Sequence, residues 1–360
     1  MKGTTHTDGI SLAALRDSGV QIFGAGQFAR SVARVLQERG VQVHRFLVSQ
    51  VPGAAIVDGI ACNAVSSVAL DSGPTWIAVH NHHPASDTGV LSHALRGLSP
   101  NAQLVWPQQY YALLAAELGW RFWLHPIADY GVISDRIASG RALLHDEVSQ
   151  RTFDAVLAFR TALTDPVGPQ PDGEVTYLPR WFQRHLALPL HFVDAGAYHG
   201  ETTLQFASLV PLKTAYAFEP DPVNHEQMLR AFEISNLDVK SYRAGVGAAS
   251  GSVCFAGGAG EASHVSATGG TRVPVVALSE ALTAVPINFI KLDVEGQERP
   301  ALEGARDLIE AQRPLLAIAG YHRWDDLWEI PHLIASFGRD YRISLGVHKY
   351  NTFDLVFYAH

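Results

Sequence analysis

In the second half of this chain, apolar runs repeatedly end in small or acidic residues. Phe192-Val193 gives way to Asp194-Ala195-Gly196-Ala197, Ala217-Phe218 to Glu219-Pro220-Asp221, and Phe289-Ile290 to Lys291-Leu292-Asp293-Val294-Glu295-Gly296. Each reads as a buried strand opening onto a polar loop. The pattern predicts strands at 190–194, 214–218, 239–243, 287–292 and 315–319. Helices fit between them at 202–209, 222–235, 298–311 and 326–337. Asp221 before Pro222 follows the preferences for a helix N-cap and first turn. Two alternating runs, Tyr341 to Val347 and Phe353 to Ala359, close the chain across a few polar residues and predict an antiparallel hairpin.

The first half carries a separate alternation. Val20 to Phe23 reads as a strand, Gly24-Ala25-Gly26-Gln27-Phe28-Ala29 as a tight turn and Arg30 to Arg39 as a helix ending at Gly40. Strands follow at 41–48, 76–80 and 103–106, with a helix over 91–98. The expected fold class is therefore α/β with two Rossmann-like units, the C-terminal one mostly parallel with a reversed terminal strand. The expected organisation is a unit over 1–125, a helical bridge with a Pro/Gly-rich stretch over 126–189, and a second unit over 190–360.

Composition narrows the function classes. The chain has 360 residues, 47% hydrophobic and 17% charged, within the ordinary range for a globular protein. A formal charge of −8 with no basic run argues against a nucleic-acid partner. No apolar run reaches the roughly 20 residues of a membrane span. The start, Met1 to Gly9, lacks a signal-peptide core, and the two cysteines, Cys62 and Cys254, read as unpaired thiols; a cytoplasmic protein is expected. His80-Asn81-His82-His83-Pro84 is the densest of the 17 histidines, but neighbours in a loop point in different directions and rarely converge on one ion.

The strand ends carry the candidate chemistry, because open α/β sheets bind ligands outside the carboxyl ends of their strands. Asp194, Ala195, Gly196, Ala197, Tyr198, Gly200, Glu201 and Thr202 form a turn that a ligand can approach closely, with Asp194 facing a cationic amine. Glu219, with Pro220 and Asp221, follows by about 20 residues, the spacing at which an acid accepts ribose hydroxyls. A ribose with a cationic head suggests an S-adenosylmethionine site. Asp293 would face the reaction centre; Lys291 and Glu295 could pair, or Glu298 could join them. As catalytic candidates, Asp293 or Glu295 would orient the base or the substrate, and Lys291 would stabilise a developing alkoxide. His322 ends the fifth strand and is the first candidate for a general base; His348 lies in the terminal hairpin. Asp293, Glu295 and a histidine could also hold a divalent metal, which the residues leave undecided.

Taken together, these segments resemble the FkbM family of S-adenosylmethionine-dependent methyltransferases from about Phe192 to His360. The most specific stretch is Ile290 to Glu298 followed by Ala301-Leu302-Glu303-Gly304-Ala305. Asp194 to Ala197 with Gly200-Glu201-Thr202, and Phe218 to Asp221, are similar to the family's cofactor loops. Tyr321-His322 before Asp325 to Pro331 resembles its late histidine motif. The resemblance implies a class I methyltransferase sheet and O-methylation of a sugar, glycan or natural product. His199 departs from the family, which more often has a small or amide residue there. Leu143 to Ser149 resembles longer members that have an extra N-terminal Rossmann-like domain.

Two other classes stay open. An NAD(P)-dependent oxidoreductase would use Gly24 to Ala29, yet Phe46-Leu47-Val48-Ser49 lacks the ribose acid of that motif. A non-catalytic binding module would keep the fold alone. The expected partner is a small-molecule or glycan acceptor, with a homo-oligomer left open. His82, His83, Trp106, Tyr110, Tyr111, Trp120 and Trp123 read as core more readily than as a sugar-binding surface.

Overall fold

In a computed structural model of the chain, the described residues are 10–50, 53–70, 73–256, 264–265, 271–338 and 340–360. The polar start, Met1 to Gly9, lies outside them. The chain forms two units, neither continuous in sequence. The first comprises the residues up to Ile137, Phe153–Pro171 and Lys349–Phe353; the second comprises Ala138–Thr152, Asp172–His348 and Asp354–His360. The segment 126–189 is thus shared between the units, and the tip of the terminal hairpin belongs to the first.

The first unit has six strands: β1 (Val20–Phe23), β2 (Val43–Val48), β3 (Ile56–Val57), β4 (Ile60–Ala64), β5 (Thr75–Ile77) and β6 (Leu104–Val105). Their order is β3-β4-β2-β1-β5-β6, parallel except for the β3–β4 hairpin. The period of two sorts the core. Ile22, Phe46 and Trp76 face the helices Gln27–Glu38 and Pro107–Leu118, while Phe23, Leu47 and Ile77 pack with Leu91 and Leu95 on the other face. The helix Pro107–Leu118 was not anticipated. It begins with Pro107 in its first turn, and Trp106 N–H donates to the Gln109 side chain at 2.7 Å.

Trp106, Tyr110, Tyr111 and Trp123 are core residues of this unit, whereas His82 and His83 are exposed. His80 lies among the rings of Phe28, Phe122, Trp123 and Phe353. Burial lowers its pKa to about 3, so it is a neutral packing residue near pH 7. Gly24 has φ +116, and a Cβ there would lie 2.7 Å from the Ala78 carbonyl; packing against the end of β5 is enough to require it.

The second unit is built on seven strands: β7 (Leu190–Ala195), β8 (Leu212–Phe218) and β9 (Val239–Tyr242), then, past a smaller sheet, four more. The smaller sheet contains β10 (Gly245–Val246), β11 (Gly251–Ala256), β12 (His264–Val265) and β13 (Thr271–Val276). The main sheet resumes with β14 (Phe289–Leu292), β15 (Leu315–Ala319), β16 (Ile343–Val347) and β17 (Leu355–Ala359). Its order is β16-β17-β15-β14-β7-β8-β9. Every neighbouring pair is parallel except β15–β17 and β16–β17, so β17 is the one strand of this sheet that runs against the others, the reversal expected near the chain's end. Strand order reverses between β7 and β14, which opens the crevice where such sheets bind ligands. Below it, Phe192, Phe206 and Phe289 pack together, with Phe192 and Phe206 stacked at 4.5 Å.

Candidate active site

The site is assembled where β7, β8, β14 and β15 end. Register places Lys291 of β14 beside Asp194 of β7. Lys291 Nζ lies 2.9 Å from Asp194 Oδ1, 3.2 Å from the Ala195 carbonyl and 2.6 Å from that of Gly196. Asp194 Oδ2 accepts from Thr203 Oγ at 2.7 Å. Both charges are fully buried, so each has the partner that burial demands. Two expectations change here. Lys291 pairs with Asp194 rather than with Glu295, because the neighbouring strand supplies the nearer carboxylate. Asp194 faces Lys291 and Thr203 rather than a ligand amine.

The pair fixes the loop above it. Gly196 has φ +75, and a Cβ there would lie 1.7 Å from the Asp293 carbonyl, so only glycine lets the two strand ends approach. Ala197 is buried, Tyr198 has φ +51, and Gly200 leads directly into the helix Glu201–Leu209. Thr202 lies in that helix's first turn, where backbone N–H groups have no partner within the helix. His199 stacks on Tyr198 at 3.7 Å and sits 3.3 Å from the Asn224 side chain.

Glu219 holds the loop from the neighbouring strand. Its Oε2 accepts from Tyr198 N–H at 2.9 Å and its Oε1 from Asp221 N–H at 2.8 Å. Burial raises its pKa to about 7 against the lowering effect of those two donors. Each oxygen keeps a further lone pair, as a diol-binding acid requires. Pro220 sets the turn, and Asp221 caps the helix Pro222–Ser235 through Val223 N–H and Asn224 N–H. A tight glycine-containing loop beside a desolvated carboxylate with acceptor capacity left over fits a nucleoside cofactor.

Across the crevice, Asp293, Glu295, Glu298 and His322 converge. His322 is completely buried, with Nδ1 2.8 Å from Glu298 Oε1 and Nε2 3.4 Å from Glu295 Oε2 and 3.6 Å from Asp293 Oδ1. Burial alone would lower the histidine pKa. The charges of Glu298, Glu295 and Asp293 outweigh it and raise the value to about 10. At neutral pH this imidazole is therefore protonated and has no lone pair for a base. Asp293 is a quarter exposed. It accepts from Tyr177 Oη–H at 2.7 Å and from Tyr321 Oη–H at 3.5 Å. His348 does not join the cluster. It lies between Asp172 Oδ1 at 3.0 Å and the Tyr358 hydroxyl at 2.7 Å.

Tyr177 was missed in the sequence because it precedes the second sheet and carries no motif. Thr203 had a signal, since it stands in the first turn of the helix after the glycine loop. Glu298 was expected to start a helix and does; its side chain also folds back to accept from Val294 N–H at 2.8 Å.

Residues 194–343 match the family described as the methyltransferase FkbM domain. Those residues of the chain form a methyltransferase FkbM domain. The enzyme is S-adenosylmethionine-dependent, and the loop from Gly196 to Thr202 with Glu219 could hold that cofactor. The methyltransferase FkbM of Methylobacillus flagellatus KT has the same fold, with a TM-score of 0.74 and 21% identity over 97% of this chain and 92% of that one. An rRNA methylase from Streptococcus thermophilus matches 47% of this chain and 84% of its own at 16% identity and a TM-score of 0.31. The precorrin-6y C5,15-methyltransferase of Geobacter metallireducens GS-15 matches 49% of this chain and 82% of its own, at 12% identity and a TM-score of 0.32. No curated protein matches the chain significantly. Among the described residues, no helix of the enzyme is long and apolar enough to cross a membrane.

Proposed function

We propose that this enzyme methylates a hydroxyl group on a small-molecule, sugar or glycan acceptor. The observation that carries this reading is Asp293: a carboxylate open to the crevice, backed by a buried imidazolium and oriented by two tyrosine hydroxyls. S-adenosylmethionine supplies an electrophilic methyl group when bound. An alcohol attacks poorly until its proton is leaving, so a positioned base accelerates the reaction. Asp293 takes that proton in this proposal, and His322, Glu295 and Glu298 hold it in place. This moves the base role away from His322, whose surrounding carboxylates keep it protonated. Lys291 acts as a positioning residue for the cofactor loop, because its ammonium is bound to Asp194 and two carbonyls and is buried away from an acceptor. Glu219 receives the ribose hydroxyls.

The test is Asp293→Asn, assayed with isotope-labelled S-adenosylmethionine and pools of candidate acceptors. Turnover should fall by about a hundredfold or more, with cofactor affinity by calorimetry within threefold of wild type. The label should be recovered as a methyl ether. Unchanged turnover in the variant would remove Asp293 from the reaction. Label recovered only on nitrogen would remove the hydroxyl acceptor.

A further inference from the structure

The far end of the second sheet holds a basic pocket that methyl transfer does not use. It has a volume of about 350 Å³ and is lined by His185, Arg313, Leu315, Asp340, Arg342 and His360. Leu315 opens β15, whereas the crevice lies past that strand's other end, at Ala319. The strand alone separates the two by roughly 13 Å. β17 runs the other way, so its last residues return to the pocket: Ala359 pairs with Leu316 and with Ile343.

Backbone pairing builds the charged wall. Arg342 N–H donates to the His360 carbonyl at 3.0 Å, and His360 N–H donates to that of Arg342 at 3.2 Å. Residues that exchange both bonds across an antiparallel pair project their side chains from one face. The His360 ring stacks on His185 with centroids 3.7 Å apart, and the His145 ring meets it edge-on at 5.6 Å. Arg184 Nε donates to His185 Nε2 at 3.1 Å. Arg313 lies over the Tyr341 ring at 5.0 Å and donates to the Asp340 carbonyl at 3.5 Å.

The charge balance calls for an anion. The lining sets two guanidinium groups against one carboxylate, in a chain whose formal charge is −8. Among the described residues, the Asp340 carboxylate forms no ion pair with either arginine, and the Arg342 guanidinium has no hydrogen-bond or ion-pair partner. His360 Nδ1 is buried with no hydrogen-bond partner among the described residues. Burial, followed by the positive charge of His185, His145, Arg342 and Arg184, lowers the His360 pKa to about 4. Positive charge concentrated this way in a concave site attracts negative ligands. Guanidinium forks match the oxygens of a phosphate group in particular. The volume lies near the lower end for small-molecule sites, which suits a compact ligand.

We propose that this pocket binds the phosphate group of a small molecule through Arg342 and Arg313, with the stacked histidines as further N–H donors. The methyl acceptor meets the opposite end of the sheet, so this site does not rest on the hydroxyl-transfer reading.

The experiment titrates inorganic phosphate into the full-length enzyme by calorimetry at pH 7, with and without saturating S-adenosylmethionine. One phosphate should bind per chain, with an affinity that the cofactor changes by less than about twofold. Arg342→Gln and His360→Gln should each weaken phosphate by about tenfold or more, while S-adenosylmethionine affinity stays at the wild-type value. Arg342 is exposed, so Arg342→Gln decides the matter if His360→Gln does not fold. Absence of phosphate binding by the wild-type enzyme would overturn the proposal, as would wild-type affinity in Arg342→Gln. Displacement of phosphate by S-adenosylmethionine would place the anion in the crevice and overturn it too. Acetate binding as tightly as phosphate would overturn the choice of phosphate in favour of a carboxylate.

Discussion

Glu219→Gln separates cofactor recognition from folding. The Glu219 carboxyl is buried, and its pKa is raised from 4.5 to about 7. That shift corresponds to about 3 kcal/mol of preference for the protonated form. The sign follows from linkage. The folded enzyme holds this proton more tightly than the unfolded chain, so the contribution to apo stability is full below pH 4.5 and is lost as pH rises through 7. Cofactor binding runs the other way, since ribose hydroxyls donate best to the ionised carboxylate. For one proton with a pKa near 7, affinity should fall about tenfold between pH 8 and pH 6. The amide variant keeps the shape but has one acceptor oxygen. Either Tyr198 N–H or Asp221 N–H loses its partner, at a cost of about 1–3 kcal/mol. Relief from burying a charge offsets that at pH 8, so urea unfolding should change little. The hydrogen bonds to a charged acceptor disappear, worth about 2 kcal/mol or roughly thirtyfold in affinity. Calorimetric titration of S-adenosylmethionine at pH 6 and 8 should therefore show weak, pH-independent binding by the variant. Wild-type affinity in the variant at pH 8, or a flat wild-type profile, would refute the ribose role.

Two further perturbations test how the units are held together internally. Lys291→Met leaves Asp194 buried without its cation and should cost about 3–5 kcal/mol in urea unfolding, with Asp194→Asn in the same chain recovering part of it; a loss below 1 kcal/mol would mean the pair is not buried as described. In the first unit, Asn351 Nδ2 donates to the carbonyls of Asn81 and Ser86 at 2.9 and 2.7 Å, and its Oδ1 accepts from Thr88 N–H at 3.1 Å. Asn351→Ala should destabilise that unit by about 2–4 kcal/mol, because buried groups lose their partners and alanine tolerates a φ of +57 poorly; unchanged hydrogen exchange at the Thr88 amide would contradict this.

The second sheet was legible because its strands are central and parallel. Leu315 to Ala319 is buried at every position and reads as an unbroken apolar run before Gly320, and Leu190 to Val193 is interrupted only by half-buried His191 before the acid Asp194. β17 was visible for the opposite reason, since a polar tip separates two strands of matching length. β10 to β13 were not legible. Val253 follows Gly251 and Ser252, and Pro274 interrupts the run from Val273 to Val276, so antiparallel pairs such as Val253 with Val273 form there without a clear strand signature. The helix expected over 298–311 instead breaks at Ala305 into Glu298–Gly304 and Arg306–Gln312, because Ala305 begins a new helical start rather than continuing the first. Domain membership was legible only in part. Leu144 pairs with Ile343, and no local pattern connects residues so far apart.

The same limit governs the site, and it explains why residue types were easier to read than roles. Lys291, Asp293 and Glu295 were visible as charges bracketing buried Leu292 and Val294, but a charge's role depends on what the next strand offers. β14 lies beside β7, so Lys291 meets Asp194 and is withdrawn from chemistry. Asp293, two residues on, lies past the last ladder residue and points its carboxylate at Tyr177 and Tyr321. Glu295 from the loop after β14 and Glu298 from the first turn of the next helix then close on His322, whereas the histidine comes from the end of β15. A histidine among carboxylates keeps its proton and is a poor base, and that surrounding arises only when strands separated in sequence end side by side.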